Sequence, residues 1–224
     1  NHILMKKPFN KSRGVEFTYS FWFVIYKMNK TNSNQWKHVF NKGSKGGYPS
    51  GTPAVWIHPD KNSMRIYMNV LKSNNNPNTL NTTNNSTEIH PYHNENKEFN
   101  ENLFEWIDID NLPLRKWVNV TFTFIEDKEN IDENYNALNI YINGLLKKRT
   151  NLSKLPSLND DDFWINLNGG FDGLISSIKY YDYSIDFKEI QKLAHECPKE
   201  DSCGIDADCP PYLNNNWWFR DRNI

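Results

Sequence analysis

Residues 15–28 read VEFTYSFWFVIYKM, a run in which large apolar side chains recur at every second position. In an extended chain, this period places one apolar series on a single face: Phe17, Tyr19, Phe21, Phe23 and Ile25. The opposite face is also partly apolar, because it includes a tryptophan and a valine. The pattern predicts a central β-strand that is covered on most of both faces.

Shorter segments with strand character continue through the rest of the chain. They lie at residues 36–41, 54–58, 64–71, 103–110, 117–125, 138–143, 145–150, 163–168 and 173–183. Turn-forming residues at 59–62 (PDKN) and at Asn143-Gly144 predict two hairpins. One helix is predicted up to Glu196, because Asp186 can cap its start and Glu189 follows three residues later. Many short strands with one small helix predict an all-β sandwich or barrel.

Two segments lack this strand pattern. Residues 72–102 consist mainly of Asn, Thr, Ser, Pro and Glu, and we interpret them as a polar surface insertion rather than a functional loop. Residues 197–224 contain cysteines, prolines and a tryptophan pair, and they predict an extended C-terminal tail. The predicted organisation is therefore one β-sandwich over residues 1–196, with the insertion inside it, followed by the tail at 197–224.

The composition excludes some classes of function. The formal net charge is −1 and no basic stripe is visible, which argues against nucleic-acid binding. No apolar run reaches the roughly 18–20 residues of a membrane span, so none is predicted within residues 1–224. Asparagine makes up about 15% of the residues, well above ordinary usage, which indicates an A+T-rich genome.

Five segments, in the right order, resemble the laminin-G-like (pentraxin-like) domains of the concanavalin A-like lectin/glucanase superfamily. They are FTYSFWF at 17–23, LPL with WVNVTF within 112–122, LNIYING at 138–144, GGFDGLI at 169–175 and the helix at 186–195. The resemblance covers about residues 15–195 and implies a jelly-roll sandwich of two antiparallel sheets. It implies little about activity, because this fold hosts lectins, adhesion modules, glycosidases and inert structural domains.

A glycosidase is disfavoured by the position of the carboxylates. Glucanases of this superfamily use a Glu-x-Asp-x-Glu strand, in which all three acids project from one face. The nearest stretch here places Asp108 and Asp110 on one face and Glu105 on the other, so the triad is not formed. No nucleophile elbow, P-loop or zinc-protease motif occurs either. We therefore predict no catalytic residues and no enzyme activity.

A calcium site is the only cofactor that the resemblance implies, since many family members hold Ca²⁺ at the rim of the sandwich. Calcium prefers oxygen ligands, and Asp160, Asp161 and Asp162 form an acidic run between two strands. The alternative is an ordinary solvated acidic loop.

Tryptophans are the candidates for contact with a sugar or a partner. Trp56 and Trp164 lie in predicted strands, where packing inside the sandwich is the alternative. Trp217 and Trp218 lie in the tail, and we expect them either to pack back on the sandwich or to insert into a partner.

Three cysteines follow one another with five residues between neighbours: Cys197, Cys203 and Cys209. This is not the spacing of a zinc knuckle, although a Cys₃His set with His195 is an alternative. In an oxidising compartment we expect one local disulfide and one remaining thiol, and in a reducing compartment three thiols.

Three functions are considered, in order of preference. The first is a structural or attachment module, a surface or capsid-associated protein of a large DNA virus, located on the virion or at the cell surface and docking on other structural proteins through its tail. The second is a lectin-like domain that binds glycans, with or without calcium. A glycoside hydrolase is the third.

Overall fold

The computed structural model describes residues 10–11, 14–28, 35–71, 91, 103–127, 135–196 and 198. These residues contain one α-helix, α1 (Phe187–His195), and eleven β-strands. The strands are β1 (Asn10–Lys11), β2 (Gly14–Ile25), β3 (Lys37–Gly43), β4 (Gly51–Ile57), β5 (Ser63–Asn69), β6 (Phe104–Asp110), β7 (Val118–Asp127), β8 (Tyr135–Ile142), β9 (Leu145–Asn151), β10 (Phe163–Ile165) and β11 (Gly173–Tyr181).

The strands form two antiparallel sheets. In the first sheet the order is β1-β2-β7-β8-β9. One edge of β2 pairs with β1 at the start of the strand and with β11 along the rest of it. In the second sheet the order is β10-β3-β4-β5-β6. The two sheets make a jelly-roll sandwich, and the predicted all-β, two-sheet fold with one short C-terminal helix is confirmed.

The core lies between the sheets, and β2 supplies its centre. The five predicted inward residues of β2 are all buried in one apolar cluster. Two of them stack on the partner strand β7: the ring centroids of Phe17 and Phe124 lie 5.2 Å apart, and those of Tyr19 and Phe122 lie 5.4 Å apart. Each fully buried large side chain stabilises the fold by about 1.5–3 kcal/mol, so this aromatic layer holds the sandwich together.

The other face of β2 is covered as well, as predicted for a central strand. Thr18 Oγ1 donates a hydrogen bond to the carbonyl oxygen of Tyr183 at 2.9 Å, and it accepts one from the backbone N–H of Ile185 at 3.2 Å. The helix follows this segment, and its buried residues Ile190 and Leu193 join a second small apolar cluster with Ile185. The C-terminal segment therefore closes the outer side of the first sheet.

The predicted helix and hairpins are confirmed by their local geometry. Asp186 Oδ1 accepts a hydrogen bond from the backbone N–H of Glu189 at 2.8 Å, which caps the first turn of α1. Asn143 and Gly144 have φ angles of 49° and 80°, the left-handed conformations that a tight two-residue hairpin requires. The β4–β5 hairpin turns at the predicted PDKN segment.

The predicted insertion and tail lie outside the described residues, except for Pro91 and Pro198. The predicted domain boundaries therefore stay predictions. Within the described part of the chain, no helix has the length and apolar character needed to cross a membrane.

Candidate functional site

The outer face of the second sheet carries a group of polar and aromatic side chains, most of which are buried. We define this face as the side chains of β3–β6 and β10 that point away from the core. The strand register aligns one row of them across all five strands: Trp164, Asn41, Ala54, Tyr67 and Trp106. The register aligns a second row beside it: His38, Trp56, Arg65 and Asp108.

A β-bulge in β3 changes which face of the sheet its residues occupy. The pairing with β4 shifts by one residue between His38 and Phe40. Val39 and Phe40 are consequently both buried in the core, while His38 lies against Trp56 on the outer face. The bulge thus places an imidazole on a face that strict alternation along β3 would not give it.

Arg65 and Asp108 form the centre of the outer face. The Nε and Nη2 atoms of Arg65 donate to Oδ1 and Oδ2 of Asp108 at 2.6 and 2.8 Å, a two-pronged ion pair. The guanidinium carbon also lies 4.9 Å from the ring centroid of Trp36, 5.3 Å from that of Trp106 and 5.8 Å from that of Tyr67. Arg65 is only 3% exposed, so its charge is satisfied inside the protein.

The ion pair keeps Arg65 charged. Burial alone would lower the pKa of its guanidinium, but the hydrogen bonds to Asp108 and Tyr67 and the nearby charge of Asp108 together outweigh it. The pKa of Arg65 lies above its ordinary value as a result. Both oxygens of Asp108 accept hydrogen bonds from this cation.

The remaining acids of β6 point in different directions. Glu105 turns toward the segment that follows β9, where its carboxylate accepts from the backbone N–H and the hydroxyl of Ser153 at 2.9 and 2.5 Å. Asp110 is exposed at the end of the strand. The core side holds Ile107 and Ile109, the alternate residues that follow Glu105. The prediction that Glu105 lies on the face opposite to Asp108 is confirmed.

His38 joins β3 to the loop after β10. Its Nε2 atom donates to Oδ1 of Asn41 at 2.9 Å, and its Nδ1 atom accepts from the backbone N–H of Leu167 at 3.0 Å. The ring meets Trp56 edge-on, with the centroids 4.7 Å apart. Burial lowers the pKa of His38 from 6.5 to about 4, despite the opposing hydrogen bond with Asn41. The imidazole is therefore neutral at physiological pH.

Acidification should destabilise the domain through His38. Between the two pKa values the unfolded chain binds a proton that the folded chain does not, so the free energy of unfolding falls as the pH falls from above 6.5 toward 4. The loss should be about 2 kcal/mol at about pH 5. Urea unfolding at about pH 7.5 and 5 measures it, and His38→Gln should remove this part of the pH dependence. Equal losses in both proteins would contradict the assignment.

The edge of the outer face at β10 is more open than its centre. Trp164 is half-buried; its Nε1 donates to the carbonyl oxygen of Gly43 at 3.1 Å, and Nζ of Lys45 lies 5.7 Å from its ring centroid. The adjoining loop exposes Asn166 and Asn168, whose φ angles of 49° and 54° are left-handed. This edge therefore presents a half-buried aromatic ring and two exposed asparagines within residues 164–168.

The predicted tryptophans have different surroundings. Trp56 is 4% exposed and packs against His38, so its ring is not open to a sugar in this structure. Trp164 lies at the open edge. Trp217 and Trp218 lie outside the described residues, as do the cysteines Cys197, Cys203 and Cys209. The contact roles of all four tryptophans stay predictions.

The acidic run predicted as a calcium site is exposed at Asp160, Asp161 and Asp162, in the loop before β10. Among the described residues, no three His, Cys, Asp or Glu side chains are grouped as metal ligands. The calcium site at this run stays a prediction.

A small cleft lies at the end of the sandwich where β2 and β4 finish. Its lining includes Lys27, Lys37, His58 and Asp172. Its volume of about 20 Å³ has room for little more than a water molecule. A sugar ring does not fit there without movement of the lining side chains.

Sequence reasoning missed the two residues that organise the outer face, Arg65 and His38. A signal existed for Arg65, since a charged residue in the otherwise apolar run MRIYM needs a buried partner if the strand is central. The identity of that partner required the strand register.

Comparison with known proteins supports the fold. Residues 49–191, more than half of the chain, match the Laminin_G_3 family model, described as the concanavalin A-like lectin/glucanases superfamily. No curated protein matches the chain.

Solved structures of botulinum neurotoxin binding domains are similar to the chain in fold. The serotype D binding domain has a TM-score of 0.52 at 14% identity, covering 80% of this chain and 36% of that one. The receptor binding domain of botulinum neurotoxin D has a TM-score of 0.50 at 16% identity, covering 87% and 39%. The C/D mosaic receptor binding domain has a TM-score of 0.51 at 14% identity, covering 80% and 36%. The chain thus spans less than half of each of these chains.

Proposed function

The chain belongs to the concanavalin A-like lectin/glucanase superfamily, as a domain of the laminin-G type, and from this premise we propose that it is a non-catalytic attachment module. Such a module attaches its parent protein to a partner, and it leaves the partner chemically unchanged.

The state of the β6 carboxylates carries this proposal. A retaining glycosidase needs two carboxyl groups about 5–5.5 Å apart on one face, one of them able to hold a proton. Here Glu105 bonds to Ser153 on one side of the sheet, while Asp108 is ion-paired to Arg65 on the other. Because both oxygens of Asp108 already accept hydrogen bonds from Arg65, this carboxyl group is not positioned to donate a proton to a glycosidic oxygen.

The partner that the open edge suits best is a saccharide, and Trp164 is the observation that favours it. The half-buried ring can stack on the apolar face of a sugar, while Asn166 and Asn168 can bond to its hydroxyls. The similar solved structures include receptor binding domains of botulinum neurotoxins, which is in keeping with an attachment role.

Trp164 should be required for saccharide binding. On a glycan array, Trp164→Ala should reduce the signal for any bound glycan by about tenfold or more, the cost of truncating a contact residue by over 1 kcal/mol. Leu146→Ala removes an exposed apolar side chain from the first sheet and is the matched control, with no expected change. Equal binding by both variants would overturn the assignment to this edge, and silence of the wild type across the array would direct the search to protein partners.

We place the module on the surface of a virion or of a cell, docked on other structural proteins through the tail. The asparagine-rich composition, typical of A+T-rich genomes, is in keeping with a large DNA virus as the source and equally with an A+T-rich protist. Protease treatment of intact particles, followed by detection of the domain, tests the location: an exposed surface protein is removed, whereas an internal one is retained.

A further inference from the structure

Three oxygen atoms of the acidic loop accept hydrogen bonds from one lysine. Lys42, on β3, is 6% exposed, and its ammonium nitrogen reaches the loop before β10. Nζ donates to the backbone oxygen and to Oδ1 of Asn159, at 3.3 and 3.4 Å, and also to the backbone oxygen of Asp161. Carbonyl and amide oxygens of this kind are the ligands that Ca²⁺ prefers.

Further hydrogen bonds hold the loop in this shape. Asn159 Nδ2 donates to the backbone oxygen of Lys42 at 3.3 Å, and the backbone N–H of Asp161 donates to Oδ1 of Asn159 at 3.2 Å. The backbone N–H of Gly43 donates to the carbonyl oxygen of Asp162 at 2.9 Å. The loop and the start of β10 are therefore fastened to β3 around one positive charge.

The calcium ion that the family resemblance implies does not fit these donors. An ion bound to the same oxygens would lie within a few ångströms of the Lys42 ammonium, and two cations at that distance repel each other strongly when water is largely excluded. The three residues of the acidic run are exposed, and no group of three His, Cys, Asp or Glu side chains that could hold a metal occurs in the described part of the chain.

We propose that the Lys42 ammonium is the permanent cation of this loop and makes a divalent ion unnecessary there. The Lys42 ammonium orders residues 159–162 and, through them, the start of β10. The order of the loop then does not depend on the calcium concentration. This inference concerns the loop itself and holds whether or not the domain binds glycans.

Two measurements on the purified domain test the proposal: the thermal midpoint, and amide hydrogen exchange over residues 159–162. In the wild type, EDTA and excess Ca²⁺ should leave both unchanged. Lys42→Met keeps the apolar stem and removes the charge. It should lower the midpoint by about 5 °C and speed exchange of the loop about tenfold, because hydrogen bonds to a charged group are lost.

Two matched variants separate this role from a general loss of charge. Lys45→Met removes a neighbouring ammonium, one that lies over the Trp164 ring, and should change neither measurement. Lys42→Arg keeps the charge and should recover most of the loss. The proposal is overturned if EDTA speeds loop exchange in the wild type and Ca²⁺ reverses it, or if Lys42→Met behaves like Lys45→Met. The wild-type comparison stands even if Lys42→Met does not fold.

Discussion

Replacing Asp108 with alanine should lower the free energy of unfolding by about 2–4 kcal/mol. Breaking a buried ion pair on one side leaves an uncompensated charge, which costs about 3–5 kcal/mol when both partners are fully buried. The side chain of Asp108 is 35% exposed, so water can reach the site and the expected cost is lower. Urea unfolding at neutral pH measures it.

The matched control for this prediction is Asp110→Ala, two residues along the same strand on an exposed position. It should change stability by no more than about 0.5 kcal/mol. Removing both charges with Arg65→Met and Asp108→Leu should cost less than Asp108→Ala alone, because no unpaired ion remains. Equal effects of Asp108→Ala and Asp110→Ala would contradict a structural role for the ion pair.

The largest loss of stability should follow the truncation of the core aromatic Phe122. Its ring is fully buried, stacks on Tyr19 with the centroids 5.4 Å apart, and lies on the middle strand of the first sheet. Phe122→Ala removes this contact and leaves a cavity between the sheets, with an expected cost of about 3–5 kcal/mol. Denaturant unfolding with an unchanged m-value measures it.

Leu146→Ala is the control for the core substitution, because this leucine is 55% exposed on the nearby strand β9. Its cost should be within about 0.5 kcal/mol. A loss below about 1 kcal/mol for Phe122→Ala would show that the two sheets do not share a tightly packed aromatic layer.

The fold could be predicted because its signals are local. Alternation along β2 identifies the inward residues, the Asn143-Gly144 turn identifies the β8–β9 hairpin, and Asp186 marks the start of the helix. Each signal lies within a few residues of the structure that it predicts. The order of such segments then restricts the fold class.

The outer face could not be predicted because its contacts are distant in sequence. Asp108 lies 43 residues after Arg65, and the backbone N–H that bonds to His38 belongs to Leu167, 129 residues away. Only the strand register brings these groups together. The bulge before Phe40 also shifts the alternation of β3, so a face assignment from period two alone fails there.

The surroundings of Trp56 and Lys42 also could not be predicted from the sequence. A tryptophan in a strand is more often packed inside the sandwich than in contact with a sugar, but the burial of Trp56 beside His38 is visible only in the folded chain. Lys42 carries no signal in sequence, yet it donates hydrogen bonds to a loop 117 residues away. The acidic residues in the sequence therefore did not reveal that a lysine contacts the loop before β10.

Product analysis on a panel of polysaccharides tests the non-catalytic account most directly. The domain is incubated with β-glucans and other plant, bacterial and animal glycans, and the release of new reducing ends is followed over time. The account predicts no release above the buffer blank by the wild type or by Asp108→Asn. Sustained release by the wild type that is lost in Asp108→Asn or Glu105→Gln would contradict it, and the β6 carboxylates would then be catalytic.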